Sequence, residues 1–348
     1  MIEPLNPSLN SQAEKLLAFV IPVRHPDGAR VTDYRAVEAV LRKTIDSVFS
    51  QHHTNFSVVV CAHRVPSWAA EYDERLRFVD VSSCPRFIPN GDSRRDKGMK
   101  LIVGTLFALS TLDPSLVMLM DADDYVNTGL GAALLSRGDL DASFDGYLIT
   151  RGAHAWIRLD ERWRVSYEYA VTVNDFNRSS GSCRVFKPSV LKAMLRSIDR
   201  GIEQRFQPWP QAGDKRDVRI SEAPLRWLWE VADSIPPSRD SVIELMARHV
   251  DQAQHFNLVP VEFLGAAKGC GHGSHQGPRG GAVHWDKAVK MMGIRSFLES
   301  FGLPDQPWSF SQFRPIIEIA RRSKGWRRFA RFAGFPYRVV RGLVSDRM

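Results

Sequence analysis

The stretch VMLMDADDYVN, residues 117–127, runs four apolar residues straight into three carboxylates. Val117 to Met120 favour burial, whereas Asp121, Asp123 and Asp124 favour water, a cation or hydrogen-bond donors. That combination restricts the segment to the tip of a buried element that ends at solvent or at a ligand. Three carboxylates within four residues also repel one another unless something neutralises them. Two readings stay open on these residues. One is a strand-to-loop junction where acids cap a turn. The other is a site for a hard divalent cation, which takes oxygen ligands and is often completed by substrate phosphates.

The segments before it have the pattern of an open α/β sheet. LLAFVIPV (16–23) and FSVVVCAH (56–63) are unbroken apolar runs, as expected of strands covered on both faces. LRFVDV (76–81) is a shorter third strand, and SLVMLMDADD (115–124) is the fourth. Between them, residues 34–51 carry apolar side chains at 37, 40, 41, 45, 48 and 49, and GMKLIVGTLFALSTL (98–112) also has helical spacing. Strand, helix, strand, strand, helix, strand predicts a largely parallel sheet, and such sheets bind ligands beyond the carboxyl ends of their strands. Asp121 to Asp124 fall at such an end. After residue 145 the pattern loosens. Short strands are expected at 146–150 and 155–160, helices at 187–198 and 240–256, a strand at 258–266 and a Gly-rich loop at 268–281.

In this order, AFVIPVRH, TIDSVFSQ, FSVVVCAH, DKGMKLIVGTLFAL and VMLMDADDYVN resemble the nucleotide-sugar-binding half of a GT-A glycosyltransferase. The likeness is greatest to the large inverting family 2 typified by polysaccharide synthases, and it covers about residues 16–130. It implies an α/β GT-A fold with a mostly parallel central sheet and a C-terminal helical extension. It also implies transfer from a nucleotide-diphosphate sugar to a glycan or lipid-linked acceptor in surface polysaccharide synthesis, with Mg2+ or Mn2+ as cofactor. By position, Asp121 would hold the ribose and Asp123 the metal, with Asp124 a second contributor. The turn at Pro22, Arg24 and His25 would lie against the nucleotide, or be a solvated turn. Many relatives carry an acid at the end of the second strand, where this chain has His63 and Arg64, so the base identity is open. Asp96, Lys97 and Lys100 open the helix before the acidic strand, where a helix N-terminus with basic neighbours attracts anions.

An inverting transfer needs a base for the acceptor hydroxyl. The resemblance puts it near a helix start after the acceptor-side segment. Asp240 takes that place unless it is only a helix N-cap, and Glu222 is the second candidate. His272 and His275 in the Gly-rich loop would serve the metal or the diphosphate, and Arg279 a phosphate on loop closure. GSCRVFKPSVLKAM (181–194) resembles the small-residue turn beneath the acceptor pocket. Of Trp156, Trp163, Trp209, Trp227, Trp229 and Trp285, one or two would stack on sugar rings and the others fill the core.

Charge adds a partner. From Arg321 onward there are nine Lys or Arg and one acid, Asp346, so nine minus one accounts for the whole net charge of +8. Mixed with Trp, Phe, Tyr and Val, this tail suits an anionic membrane surface or packs on the body, and no nucleic acid is expected. No apolar run reaches the roughly 18–20 residues of a bilayer span. The N-terminus lacks a signal-peptide layout, and the four cysteines have no CxxC spacing. Together these predict a cytoplasmic protein, peripheral on the inner membrane face. The 348 residues divide as 1–15, an N-terminal extension; 16–145, the donor half; 146–300, the acceptor half; and 301–348, the basic extension. Two other function classes compete. A sugar-phosphate nucleotidyltransferase would open with a Gly-rich, Arg-bearing loop, but PVRHPDGAR has one glycine. A non-catalytic basic membrane- or nucleic-acid-binding protein would carry its charge on the fold's face.

Overall fold

The computed structural model describes residues 15–28, 31, 33–84, 93–137, 143–209, 217–234, 256–270, 288–292 and 294–304. The first half builds β1 (Leu17–Pro22), α1 (Tyr34–Phe49), β2 (Phe56–Ala62), β3 (Leu76–Asp80), α2 (Ser93–Thr111), β4 (Leu116–Leu119), β5 (Asp124–Val126) and α3 (Leu130–Leu135). The rest adds β6 (Gly146–Leu159), β7 (Val165–Asn174), β8 (Arg184–Phe186), α4 (Pro188–Ile198), α5 (Ile202–Arg205), β9 (Asp217–Arg219) and α6 (Glu222–Ser234). It ends with β10 (Leu258–Cys270), β11 (Ala288–Met292) and α7 (Ile294–Ser300).

The apolar runs become strands because both faces are covered. Leu17, Phe19 and Ile21 of β1 pack with Val37, Leu41, Ile45 and Val48 of α1. Ala18 and Val20 pack with Met99, Val103, Leu106 and Phe107 of α2. Alternation along a strand sends neighbours to opposite faces, so one run feeds two cores. Asp33 starts α1 by accepting the Arg35 N–H at 2.8 Å.

The sheet order is β11-β7-β6-β8-β4-β1-β2-β3-β9. β4, β1, β2, β3 and β9 run parallel. This is the α/β architecture with a mostly parallel centre that the sequence predicts. β8 is antiparallel to both β4 and β6, so β6 points the same way as β4. β6 is one strand of 14 residues rather than two short ones, because β7 and β10 hold its two edges through the Gly-Ala-His interval. β8 pairs with Gly146–Leu148 and β7 with Arg151–Leu159, on the edge of β6 opposite β10. The sheet therefore splits just beyond the level of Leu119, and the chain between β7 and β8 turns there.

α2 begins at Ser93, so Asp96 stands in its first turn as expected and the periodic run 98–112 is the rest of the helix. Two further boundaries differ from expectation. The fourth strand stops at Leu119, and Asp124–Val126 form a separate strand paired with β10. β10 runs to Cys270 through residues assigned above to the loop, because β5 and β6 both hydrogen-bond to that end. The helix expected over 240–256 lies outside the described residues except for Phe256. The extension 1–14, the rest of the Gly-rich segment and the tail from 305 also lie outside them. Among the described residues no helix is long and apolar enough to cross a membrane.

α2 lies close on the sheet at Gly104, where a β-carbon would stand 2.7 Å from Val20 Cγ1. An exposed helical Gly→Ala gains about 1 kcal/mol. Gly104→Ala is expected instead to lose about 1–3 kcal/mol by overpacking, read as a lower urea midpoint at an unchanged slope.

Candidate active site

The acidic turn is pinned from four directions. The Met120 N–H donates to the Val20 carbonyl at 3.0 Å, continuing the β4–β1 ladder past the strand. Asp124 N–H then closes the turn on the Asp121 carbonyl at 3.2 Å. Thr44 Oγ1 of α1 donates to the Ala122 carbonyl at 2.9 Å. Ser182 Oγ accepts the Asp121 N–H at 2.7 Å. From β10, the Gly269 N–H donates to the Asp123 carbonyl at 3.0 Å. A β-carbon at Gly269 would sit 2.3 Å from that carbonyl oxygen, so only glycine permits the bond.

Each carboxylate of the turn has a different setting. Asp121 forms an ion pair with Lys97 of the first α2 turn, and both side chains are about one-fifth exposed. Asp124 is 1% exposed, and its Oδ2 accepts the Ser180 hydroxyl at 2.6 Å. Burial, followed by Asp123 and Asp121, pushes its acid well above the ordinary carboxylate range. Asp123 is 7% exposed. Lys268 of β10 stands opposite Asp124 in register and donates to the Ser179 carbonyl at 2.9 Å. Burial pulls its ammonium down, yet Asp124, Cys270, Asp123 and Asp121 outweigh that and raise its pKa. Arg184, buried in β8 opposite Leu119, acts electrostatically on Asp121.

Beside the acidic turn lie the ends of β1 and β2. Pro22 closes β1 opposite Cys61, and half-buried Arg24 follows it in the turn. Lys100 is fully buried; its Nζ donates to the Val23 carbonyl at 2.7 Å and pairs with Asp96 at 2.8 Å. His25 and His63 meet edge-to-face, with ring centroids 4.0 Å apart. His25 Nδ1 accepts the Asp27 N–H at 3.0 Å. Burial and then Lys100 lower the His25 pKa, and the same two causes with His25 bring His63 down to about 2. Both rings are neutral at pH 7.

The fold thus brings Pro22, Arg24, His25, His63, Asp96, Lys97, Lys100, Asp121, Asp123 and Asp124 to one edge of the sheet. It does not bring Glu222 there. Glu222 opens α6 after β9, which stands four strands from β4, and its carboxylate is exposed and paired with Arg226. Asp240, His272, His275 and Arg279 lie outside the described residues. Lys268, Arg184, Ser180 and Ser182 were not singled out. Arg184 was signalled by its place inside the apolar run CRVF. Lys268 bears no such mark, because it opens a Gly-rich stretch of low strand propensity.

Among the described residues no group of three or more His, Cys, Asp or Glu is arranged to hold a metal. The described residues by themselves therefore form no protein-only cage. A cation on Asp123 and Asp121, completed by a ligand's phosphate oxygens, fits the donor set and would relieve the repulsion around Asp124. Lys97 would have to give up Asp121 to it.

No family model and no curated protein matches the chain. Among solved structures it is similar to S. aureus TarS at 12% identity and a TM-score of 0.37, over 73% of this chain and 36% of that one. TarS 1–349 in complex with UDP-GlcNAc matches at 12% identity and 0.35, over 89% and 67% of the two chains. The glycosyltransferase GlyE of Streptococcus pneumoniae TIGR4 matches at 9% and 0.30, over 72% and 45%. At these identities and scores the likenesses assign no activity to the chain.

Two substitutions probe the buried charges. Lys100→Met leaves Asp96 buried without its cation and is expected to cost about 3–5 kcal/mol, measured by urea unfolding. His63 gives the pH dependence. Its folded pKa lies below the unfolded value, so the unfolded chain takes up a proton first as pH falls below 6.5. Stability is therefore held in full above about pH 6.5 and is lost progressively on acidification towards pH 4. His63→Gln is expected to flatten that part of a melting-temperature profile, leaving the mutant-minus-wild-type difference larger at pH 4 than at pH 7.

Proposed function

We propose that the chain is a metal-dependent inverting glycosyltransferase that takes its sugar from a nucleotide diphosphate. The acceptor is a glycan or a lipid-linked sugar of surface polysaccharide synthesis. The observation that carries this reading is the turn Asp121–Asp124. It stands at the carboxyl end of β4 in a parallel sheet, with Lys97 of the α2 first turn on one side and the β1 and β2 ends on the other. Carboxylates and lysines held together at that edge suit an anionic ligand that brings its own cation.

In this reading residues 16–145 bind the donor and residues 146–300 the acceptor. The His25–His63 edge and Arg24 face the nucleoside, and Lys97 moves from Asp121 to the diphosphate. Asp123 and Asp121 would hold Mg2+ or Mn2+, which when bound would supply positive charge beside the diphosphate. The acceptor oxygen attacks the anomeric carbon from the face opposite the diphosphate. The bond to the diphosphate oxygen breaks, its electron pair leaves with that oxygen, and Asp240 takes the acceptor's proton. Residues 321–348 dock the enzyme on an anionic membrane from the cytoplasmic side.

A melting-shift screen of UDP-, GDP-, TDP- and CMP-sugars, with and without Mn2+, tests the reading. A ligand at 100 times its Kd adds about 2.7 kcal/mol, and roughly 4 °C in a chain of this size. At least one diphosphate sugar is expected to shift the transition with Mn2+, and Asp123→Asn to remove the Mn2+-dependent part. No shift with any of them refutes the assignment.

A further inference from the structure

Resting on that reading, we infer that Trp156, with Arg158 and Glu168 beside it, forms the subsite that holds a pyranose ring of the acceptor glycan. Alternation along β6 sets which way these side chains point. A β-carbon at Gly152 would run into the Phe176 ring, and His154 Nε2 lies 3.0 Å from Ser179 Oγ, so the even-numbered residues of this stretch face the 176–180 turn. Ala153, Ala155 and Ile157 face the other way and pack with Phe297 and Leu298 of α7. Trp156, half-buried, and Arg158, exposed, follow His154 on the first face. Lys268, the register partner of His154, donates to the Ser179 carbonyl, and Asp124 across from it accepts the Ser180 hydroxyl, so Asp124 and Trp156 share that face. Glu168 arrives from β7 through a register slip. Trp156 pairs with Tyr169 and Ile157 with Tyr167, which leaves Glu168 as the extra residue of a β-bulge. Bulges re-aim a side chain and are frequent next to active sites. This one brings the Glu168 carboxylate, 9% exposed, to 3.7 Å from Arg158 Nη1. That separation is longer than a hydrogen bond, so the ion pair leaves donors and acceptors for the hydroxyls of a sugar.

Position decides the occupant. The Gly269 N–H reaches the Asp123 carbonyl, and the register partner of Gly269 on β6 is Ala155, next to Trp156. The acidic turn and Trp156 therefore stand at one level of the sheet on either side of β10, two strand spacings or about 10 Å apart. That is beyond the sugar joined to a diphosphate at the turn and within reach of the sugar that accepts it. The chemistry agrees. An indole face, the negative side of the ring quadrupole, attracts the polarised C–H bonds of a pyranose, while a carboxylate and a guanidinium at its rim bond the hydroxyls. The other described tryptophans are placed elsewhere. Trp163 lies beneath Arg35 at the β6–β7 turn, Trp209 is buried between Phe107 and Phe206, and Trp227 and Trp229 ride on α6 beyond β9.

The experiment applies the full chain to an array of short hexose and N-acetylhexosamine oligosaccharides and measures the affinity of each retained glycan by calorimetry. Wild type is expected to retain at least one. Trp156→Leu, which keeps an apolar side chain but offers no ring face, is expected to bind it about tenfold more weakly, and Trp156→Phe to stay within about threefold of wild type. Glu168→Gln is expected to weaken binding about threefold to tenfold by removing charge-assisted hydrogen bonds, and it carries the test if Trp156→Leu does not fold. The Mn2+-dependent melting shift with a nucleotide sugar is expected to be the same in all three variants. No retained glycan, or Leu and Gln variants that bind as wild type does, overturns the inference. So does a folded Trp156→Leu variant that loses the nucleotide-sugar shift, which would put the indole in the donor site. A chain that holds a glycan in this order yet ignores every nucleotide sugar leaves the inference standing and sinks the transferase reading.

Discussion

The compensation of negative charge at the strand ends is the constraint on which this structure depends. Carboxylates at the rim of an apolar sheet lose solvation, and each must find donors or cations nearby. The chain meets that need locally and from far away. Asp96 and Lys100 are four residues apart on α2 and pair in complete burial, with Lys100 also gripping the Val23 carbonyl. Asp121 pairs with Lys97, one turn below Lys100 on the same helix. Asp124 accepts the hydroxyl of Ser180, 56 residues downstream, and stands opposite Lys268 of β10 in register. One helix and two distant segments thus converge on a turn of four residues.

This arrangement explains the second half of the fold. β8 wedges between β4 and β6, and the turn before it delivers Ser180 and Ser182 to the acidic turn. β10 crosses from β6 to β5 and delivers Lys268 and Gly269. The sheet's split beyond Leu148 leaves room for the 179–182 turn. Strand pairing in this half is a device for bringing polar groups to the end of β4 as much as for closing a core.

Much of the first half was legible because its signals are short-range. An apolar run bounded by polar residues identifies β1 and β2 without knowledge of what covers them, and the stripe on residues 37–49 identifies α1. The acidic turn was legible as a site candidate for the same reason: its repulsion is a property of adjacent residues. The lysines around it were partly legible. Lys97 and Lys100 stood near the start of an expected helix, whereas Lys268 stood in a Gly-rich stretch of low strand propensity. Residues 268–270 of it become strand because β5 and β6 pair with this end of β10 and Gly269 allows the close approach to Asp123. Glu222 shows the reverse case. An acid at a helix start is a reasonable base by local pattern, but β9 adds to the far edge of the sheet beside β3 and carries that helix away from β4.

The sequence by itself determined the parallel α/β centre, the order of its first strands and the place where negative charge accumulates, because apolar periodicity and adjacent like charges are local quantities. Only the tertiary structure decided which carboxylate is buried, which lysine stands opposite it in register, and that Glu222 lies away from β4. Those outcomes depend on strand register and sheet order, which bring Lys268 opposite Asp124 across a separation in sequence that no local pattern encodes.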